Sequence, residues 1–169
     1  MPPAATDARK AARGPAPVKP SGKPANAKPS AAREAAAALP PVTFENVRLL
    51  VADGQKSRER EGLLLLDSQH VTILDKPGGT SMASVAYSAL TAAFLSRSKQ
   101  PRWRLAQGKE ESANVDLGKL GFLKSERNWL IMVTAGAPVI FRCEDGDLQR
   151  VLAAFHERSL VPVQRYTGK

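Results

Sequence analysis

The sequence predicts a mainly β domain closed by one C-terminal helix. Three observations predict it. From Val42 onward, short apolar or alternating runs recur between turn-forming residues, the signature of consecutive strands. The last run changes period. In "GDLQRVLAAFHERS", Leu148, Val151, Leu152 and Phe155 recur at helical spacing and form the single stripe of an amphipathic helix. Before Leu39, by contrast, the chain has almost no large apolar residue and cannot contribute a core.

Residues 1–41 read as a flexible arm. "GPAPVKPSGKPANAKPSAAREAAAALPP" is built from Ala, Pro, Lys and Ser. Such a segment buries too little surface to offset a backbone ordering cost of roughly 1–2 kcal/mol per residue. Its prolines favour extended conformations. "SAAREAAAAL", Ser30 to Leu39, has high helix propensity but is too short to be stable alone.

The folded part spans 42–160. "VTFENVRLLVAD" alternates, with Val47, Leu49 and Val51 set against Glu45, Arg48 and Ala52, and reads as a half-buried strand. "DGQKSREREG", Asp53 to Gly62, reads as the loop that follows. "GLLLLD", Gly62 to Asp67, and "HVTILD", His70 to Asp75, form a tight hairpin around Ser68 and Gln69, and "KPGG" at Lys76–Gly79 breaks the chain. "TSMASVAYSALTAAFLSRS" forms no clean helical stripe and reads as strands over 81–86 and 90–97, bent at Tyr87–Ala89. A long charged insertion follows, over 97–127, of the kind that is either functional or disordered. "NWLIMVTA", Asn128 to Ala135, and "APVIFRCE", Ala137 to Glu144, make a hairpin around Gly136. The helix is expected over 146–159, capped by Asp145 or Asp147, with His156, Glu157 and Arg158 on its wet side or edge. Residues 161–169 read as a short tail after Pro162. Seven strands and a helix make two packed sheets or a partly open barrel, with the helix covering one open end.

The net charge of +9 is unevenly placed. Residues 1–41 hold seven basic and two acidic residues, whereas 42–169 hold 18 and 14. The folded part is therefore only mildly basic, and the arm is the segment suited to nucleic acid by charge attraction. Cys143 is the only cysteine, which excludes an internal disulfide and four-cysteine zinc sites. With His70 and His156 the only histidines, no metal or catalytic constellation emerges, and no cofactor is implied. No apolar run approaches the roughly 18 residues of a membrane span, and the first residues lack a signal-peptide core, so a cytoplasmic location is expected.

Two stretches carry candidate binding residues. In an extended chain Lys56, Arg58 and Arg60 share one side, while Glu59 and Glu61 intervene. The stretch is either an anion site, for which the guanidinium fork is suited, or a solvated hairpin with balanced charges. "RSKQPRWR" is the densest basic patch: Arg97, Lys99, Arg102 and Arg104 surround Trp103, and the next acid is Glu110. Trp103 either stacks on a ligand or folds back onto the core. Trp129 and Phe141 are expected in the core, and Cys143 packed at a strand end.

The order of seven strands and a C-terminal helix resembles the pleckstrin-homology-like superfold. "VAYSALTAAFLSRSKQPRW", Val85 to Trp103, looks like the "I-P-Y-x-x-I-t-x-x-x-y-s" segment of bacterial members, with Val85, Tyr87, Leu90 and Ser96 at matching positions. Ala86 stands where proline is usual, and Leu95 where an aromatic is common. "NWLIMV" followed by "VIFRCEDGDLQRVLAAFHER" looks like the closing hairpin and helix of that fold. The resemblance implies two near-orthogonal sheets capped by the helix. It also implies a non-enzymatic binding module, with a protein or peptide partner first and an anionic membrane surface second. In phosphoinositide-binding members a lysine and two basic residues one apart hold the phosphates, and Lys56, Arg58 and Arg60 fit that pattern. The alternative to this class is a nucleic-acid-associated protein acting through residues 1–41.

Overall fold

A computed structural model describes residues 39–118 and 125–167. All seven expected strands are present, as β1 (Val42–Asp53), β2 (Lys56–Leu66), β3 (His70–Leu74), β4 (Ser81–Ala86), β5 (Ala92–Ser98), β8 (Arg127–Val133) and β9 (Val139–Cys143). The expected bend is a single 3₁₀ turn at Tyr87–Ala89. Three short strands were not expected: β6 (Arg102–Arg104), β7 (Glu110–Ser112) and β10 (Val163–Tyr166). The helix α1 runs Asp145–Arg158. The flexible arm expected over 1–41 lies, up to residue 38, outside the described residues.

Eight strands form one continuous sheet in the order β10-β5-β8-β9-β1-β2-β3-β4, and β6 pairs with β7 alone. The sheet is antiparallel except for β10, which runs parallel to β5. Residues expected as a plain tail therefore extend the sheet: Val163–Tyr166 pair with the open edge of β5, Val163 and Tyr166 half-buried and Gln164 and Arg165 exposed. The sheet does not close: β4 and β10 are its two ends.

Alternation gives the sheet two apolar faces. The inner face carries Phe44, Val47, Leu49, Leu64, Leu66, Ile73, Leu130, Met132 and Phe141, on which α1 lays Val151, Ala154 and Phe155. The outer face carries Phe94, Trp129, Ile131, Val133 and Ile140, and the β6–β7 segment covers it with Trp103 and Val115. Trp129 and Phe141 are fully buried, as expected, on opposite faces.

Local chemistry explains the joints. Asn46 takes a left-handed φ of 58° between Phe44 and Val47, where the β1–β2 register slips by a bulge; Asn tolerates that conformation better than most residues. The Ser68–Gln69 turn is held by the Asp67 carboxylate, whose Oδ1 accepts from the backbone N–H of Gln69 and of His70, both at 2.6 Å. Gly62 sits where β3 and β4 cross closely: a Cβ there would lie 2.7 Å from the Leu74 carbonyl oxygen.

The helix start and end differ from expectation. Glu144 occupies the N-cap position without a side-chain cap bond, and Asp145 and Asp147 lie within the first turn. The Asp145 carboxylate is drawn off to accept from Asn128 Nδ2, and Asp147 pairs with Arg150 at 3.1 Å. At the other end His156 and Glu157 are exposed, but Arg158 is buried. Its Nη1 donates to the Ala154 carbonyl at 2.8 Å and its Nη2 to the Pro40 carbonyl at 2.7 Å. A cation at a helix C-terminus interacts favourably with the last carbonyls, and here it also ties Pro40, just before β1, to the helix end.

Candidate functional site

The stretch Lys56–Gly62 is not a loop. Only Gly54 and Gln55 turn, with Gly54 at φ 62°, and β2 begins at Lys56. Strand alternation then separates the charges by face. Lys56, Arg58 and Arg60 share the parity of Leu64 and Leu66 and so continue the inner face past the core, all three exposed. Across the β1–β2 ladder they stand opposite Asp53, Val51 and Leu49. Arg58 Nε pairs with Asp53 at 2.8 Å. Among the described residues Lys56 and Arg60 make no ion pair.

Glu59 and Glu61 point to the outer face, and their fates differ. Glu61 is 74% exposed and lies 3.7 Å from Arg48. Glu59 is only 13% exposed and is the hub of an arginine cluster. Its carboxylate accepts from Arg127 Nη1 and, at 3.2 Å, from Arg142 Nη1, with Arg48 Nη1 at 3.8 Å. Arg142 also donates to Glu144. These residues come from β1, β2, β8 and β9, so one carboxylate ties four strands together. Burial, with Arg142 and Arg48 close by, holds the Arg127 guanidinium below its usual range. Arg48, Arg127 and Arg142, together with Asn128, Glu144 and Asp145, line a cavity of about 500 Å³.

The second basic stretch also rearranges. Trp103 is 4% exposed and packs on the outer face, so it is not available for stacking on a ligand. Arg102 and Arg104 flank it and are exposed. The β6–β7 hairpin brings Glu110 to 3.0 Å from Arg104 and places Glu111 across from Trp103. Arg104 thereby lowers the Glu110 carboxyl below its usual range. Arg97 pairs with Glu126 at 3.8 Å, and Lys99 is exposed beyond the end of β5. The patch is thus partly neutralised by acids that the linear sequence places further along. The two candidate stretches are not one site: Lys56, Arg58 and Arg60 face inward on β2, and Arg102 and Arg104 lie on the hairpin that covers the outer face.

Cys143 is buried at the end of β9, and burial pushes its thiol up to about 12. Among the described residues no three His, Cys, Asp or Glu side chains form a metal-binding group, and no helix is long and apolar enough to cross a membrane.

An open, mainly antiparallel sheet with a C-terminal helix on its inner face is consistent with a pleckstrin-homology-like fold and is not a closed barrel. No family model and no curated protein matches the chain. A chain in a solved structure of the Spt16D–Pob3N heterodimer is similar at a TM-score of 0.43 with 11% identity, over 78% of this chain. The match spans 57% of that chain's length.

Proposed function

We propose that the chain is a non-enzymatic binding module that takes up an extended segment of a protein partner along β4. The observation that carries this is the open edge itself. β4 is a terminal strand of the sheet, and no described strand pairs with its outer side. Natural proteins guard such edges with lysine, proline or a bulge. From Gly78 to Ser96 the chain contains no charged residue and no proline. The β3–β4 register slips between Ile73 and Leu74, which leaves Ala83–Ala86 as regular edge beyond the slip. The Tyr87 N–H donates to Gln69 across β3, so alternation turns the Ser84 and Ala86 N–H groups outward. An incoming strand gains backbone hydrogen bonds there without meeting a like charge.

Affinity purification of the full chain from its own cells tests this, run beside a Ser84→Pro variant. Proline removes an outward N–H and leaves the β3 ladder intact. The expected result is a protein partner that the variant loses. A co-purifying nucleic acid that deletion of 1–41 abolishes would instead favour the alternative reading, and it would sink this one if no protein accompanied it.

The inner-face cations favour a second reading, contact with an anionic membrane surface. Lys56 and Arg60 are exposed on one face without an acidic partner among the described residues. Binding of residues 39–169 to vesicles containing anionic lipid should weaken with salt and on replacing Lys56, Arg58 and Arg60 by Ala. Unchanged binding in the triple variant removes this surface from consideration.

A further inference from the structure

Two open stretches of the sheet are covered by the chain itself, and a third is guarded. The start of β2, beyond the reach of β3, is met by residues 114–116. There the Ser57 N–H donates to the Asn114 carbonyl at 2.8 Å, and the Ser57 carbonyl accepts from the Asp116 N–H at 2.9 Å. The edge of β5 is met by β10. β10, at one end of the sheet, is four residues long and carries the exposed Arg165, two devices that keep an edge from pairing. β4, at the other end, has no charge, no proline and no covering strand among the described residues. Its charge-free run also surrounds Val85. No charged residue and no proline occurs for seven positions in either direction, from Gly78 to Ala92. Ser84 and Ala86, on either side of Val85, turn their backbone groups outward because Tyr87 bonds inward to Gln69.

We propose that the occupant of this edge is a second copy of the chain, β4 pairing antiparallel with β4 across a two-fold axis at Val85. This rests on the reading of β4 as a protein-binding edge and names its partner. In that register Ser84 of each copy stands opposite Ala86 of the other, and each such pair exchanges both of its N–H···O bonds. The outer-face side chains there are small, so the two backbones can reach the ordinary strand spacing of about 4.8 Å. On the inner face the two Val85 side chains form the close, non-hydrogen-bonded pair, a β-branched pairing that suits a ladder. The uncharged run sets no like charges across the axis. A closed two-fold pairing uses β4 on both copies and leaves only the guarded β10 at each end of the joined sheet, so association stops at two. The contact is a single strand pair, small against the roughly 1,200–2,000 Å² of a stable interface, and a weak dimer with a dissociation constant of about 10–100 µM is expected.

Sedimentation velocity of the full chain tests this, over concentrations from about tenfold below to about tenfold above that range. The expected result is a shift from one copy to two that added salt does not reverse, because the contact carries no charge. Ser84→Lys and Ala86→Glu chains should each associate about two- to fivefold more weakly than the unaltered chain, since each sets like charges diagonally across the axis. An equimolar mixture of the two should recover association, because the introduced cation of one copy then faces the introduced anion of the other. A chain that stays single throughout overturns the proposal, as does association that salt abolishes or a species larger than two. A mixture of the folded variants that associates no more tightly than its components overturns it too. The first three outcomes use the unaltered chain, so they decide the matter even if a variant does not fold. A single-copy result beside a Ser84→Pro-sensitive partner of another sequence would sink the second copy alone. A dimer and a partner that both survive Ser84→Pro would sink the edge reading with it.

Discussion

Glu59 and Glu61 are the same residue type, two positions apart on one face of β2, yet the structure assigns them different energies. Glu59→Gln removes the counterion shared by Arg127 and Arg142, which are 12% and 18% exposed. Breaking a fully buried ion pair costs about 3–5 kcal/mol. Two features reduce that figure here: glutamine keeps a carbonyl acceptor, and Arg142 keeps its bond to Glu144. A loss of about 2–3 kcal/mol is expected. Glu61, 74% exposed and 3.7 Å from a half-exposed Arg48, should cost under about 0.5 kcal/mol when replaced by Gln. Urea unfolding followed by the fluorescence of buried Trp129 reads both. With an m-value of about 2 kcal/mol/M, the Glu59→Gln midpoint should fall by about 1 M and that of Glu61→Gln by about a quarter of that. Equal midpoints for the two variants would refute the claim that the outer-face cluster is a structural tie across four strands.

Gly62→Ala places a Cβ 2.7 Å from the Leu74 carbonyl oxygen and 2.6 Å from Met82 Cε. Met82 can yield but backbone cannot, so overpacking of about 1–3 kcal/mol should outweigh the ~0.4–1 kcal/mol that Gly→Ala yields through the unfolded chain, and thermal melting should show a net loss. Arg158→Met leaves the Ala154 and Pro40 carbonyls without their buried donor, at about 1–3 kcal/mol; limited proteolysis near Pro40 should accelerate more than cleavage elsewhere. Cys143, its thiol raised to about 12 by burial, should resist alkylation at pH 8 until the domain unfolds. Because the folded state holds this proton more tightly than the unfolded one, stability from this group is full below about pH 8.5 and falls as pH rises toward 12. Labelling of the native protein at the rate of a free thiol would contradict that burial.

The strands and helix were legible because their signals are local. Period, turn residues and the Tyr87–Ala89 bend need only near neighbours in sequence. The bulge at Asn46 was also written there: Phe44 and Val47 are three apart, while Val47, Leu49 and Val51 are two apart, a slip of phase in an otherwise alternating run. What stayed hidden depends on distant partners. Glu59 finds Arg127 and Arg142, 68 and 83 residues away, and Arg158 finds Pro40, 118 residues away. No window of sequence shows that a charged residue will be buried against a partner so remote. Trp103 was undecidable for a related reason: its burial requires the outer face to be apolar. Ile131, Val133 and Ile140 make it so, but inside runs too uniformly apolar to reveal a second covered face.

Strand alternation changes how the charge of "DGQKSREREG" should be counted. Summed along the sequence, Asp53, Glu59 and Glu61 cancel Lys56, Arg58 and Arg60. Summed by face, they do not. Asp53 stands opposite Lys56 and shares the inner face with the three cations, leaving two positive charges there, while both glutamates lie across the sheet. Screening at physiological salt has a length of about 8 Å, so outer-face acids contribute little to what approaches the inner face. If this surface meets anionic lipid, Asp53→Asn should strengthen binding and Glu61→Gln should not. A basic residue near an anionic surface is worth about 1 kcal/mol, so removing the one inner-face acid should raise vesicle affinity by about fivefold at physiological salt. Sedimentation with vesicles of mixed neutral and anionic lipid measures both variants under one condition. An equal gain from Glu61→Gln would mean that the hairpin acts through its net charge and that the division by face has no bearing on binding.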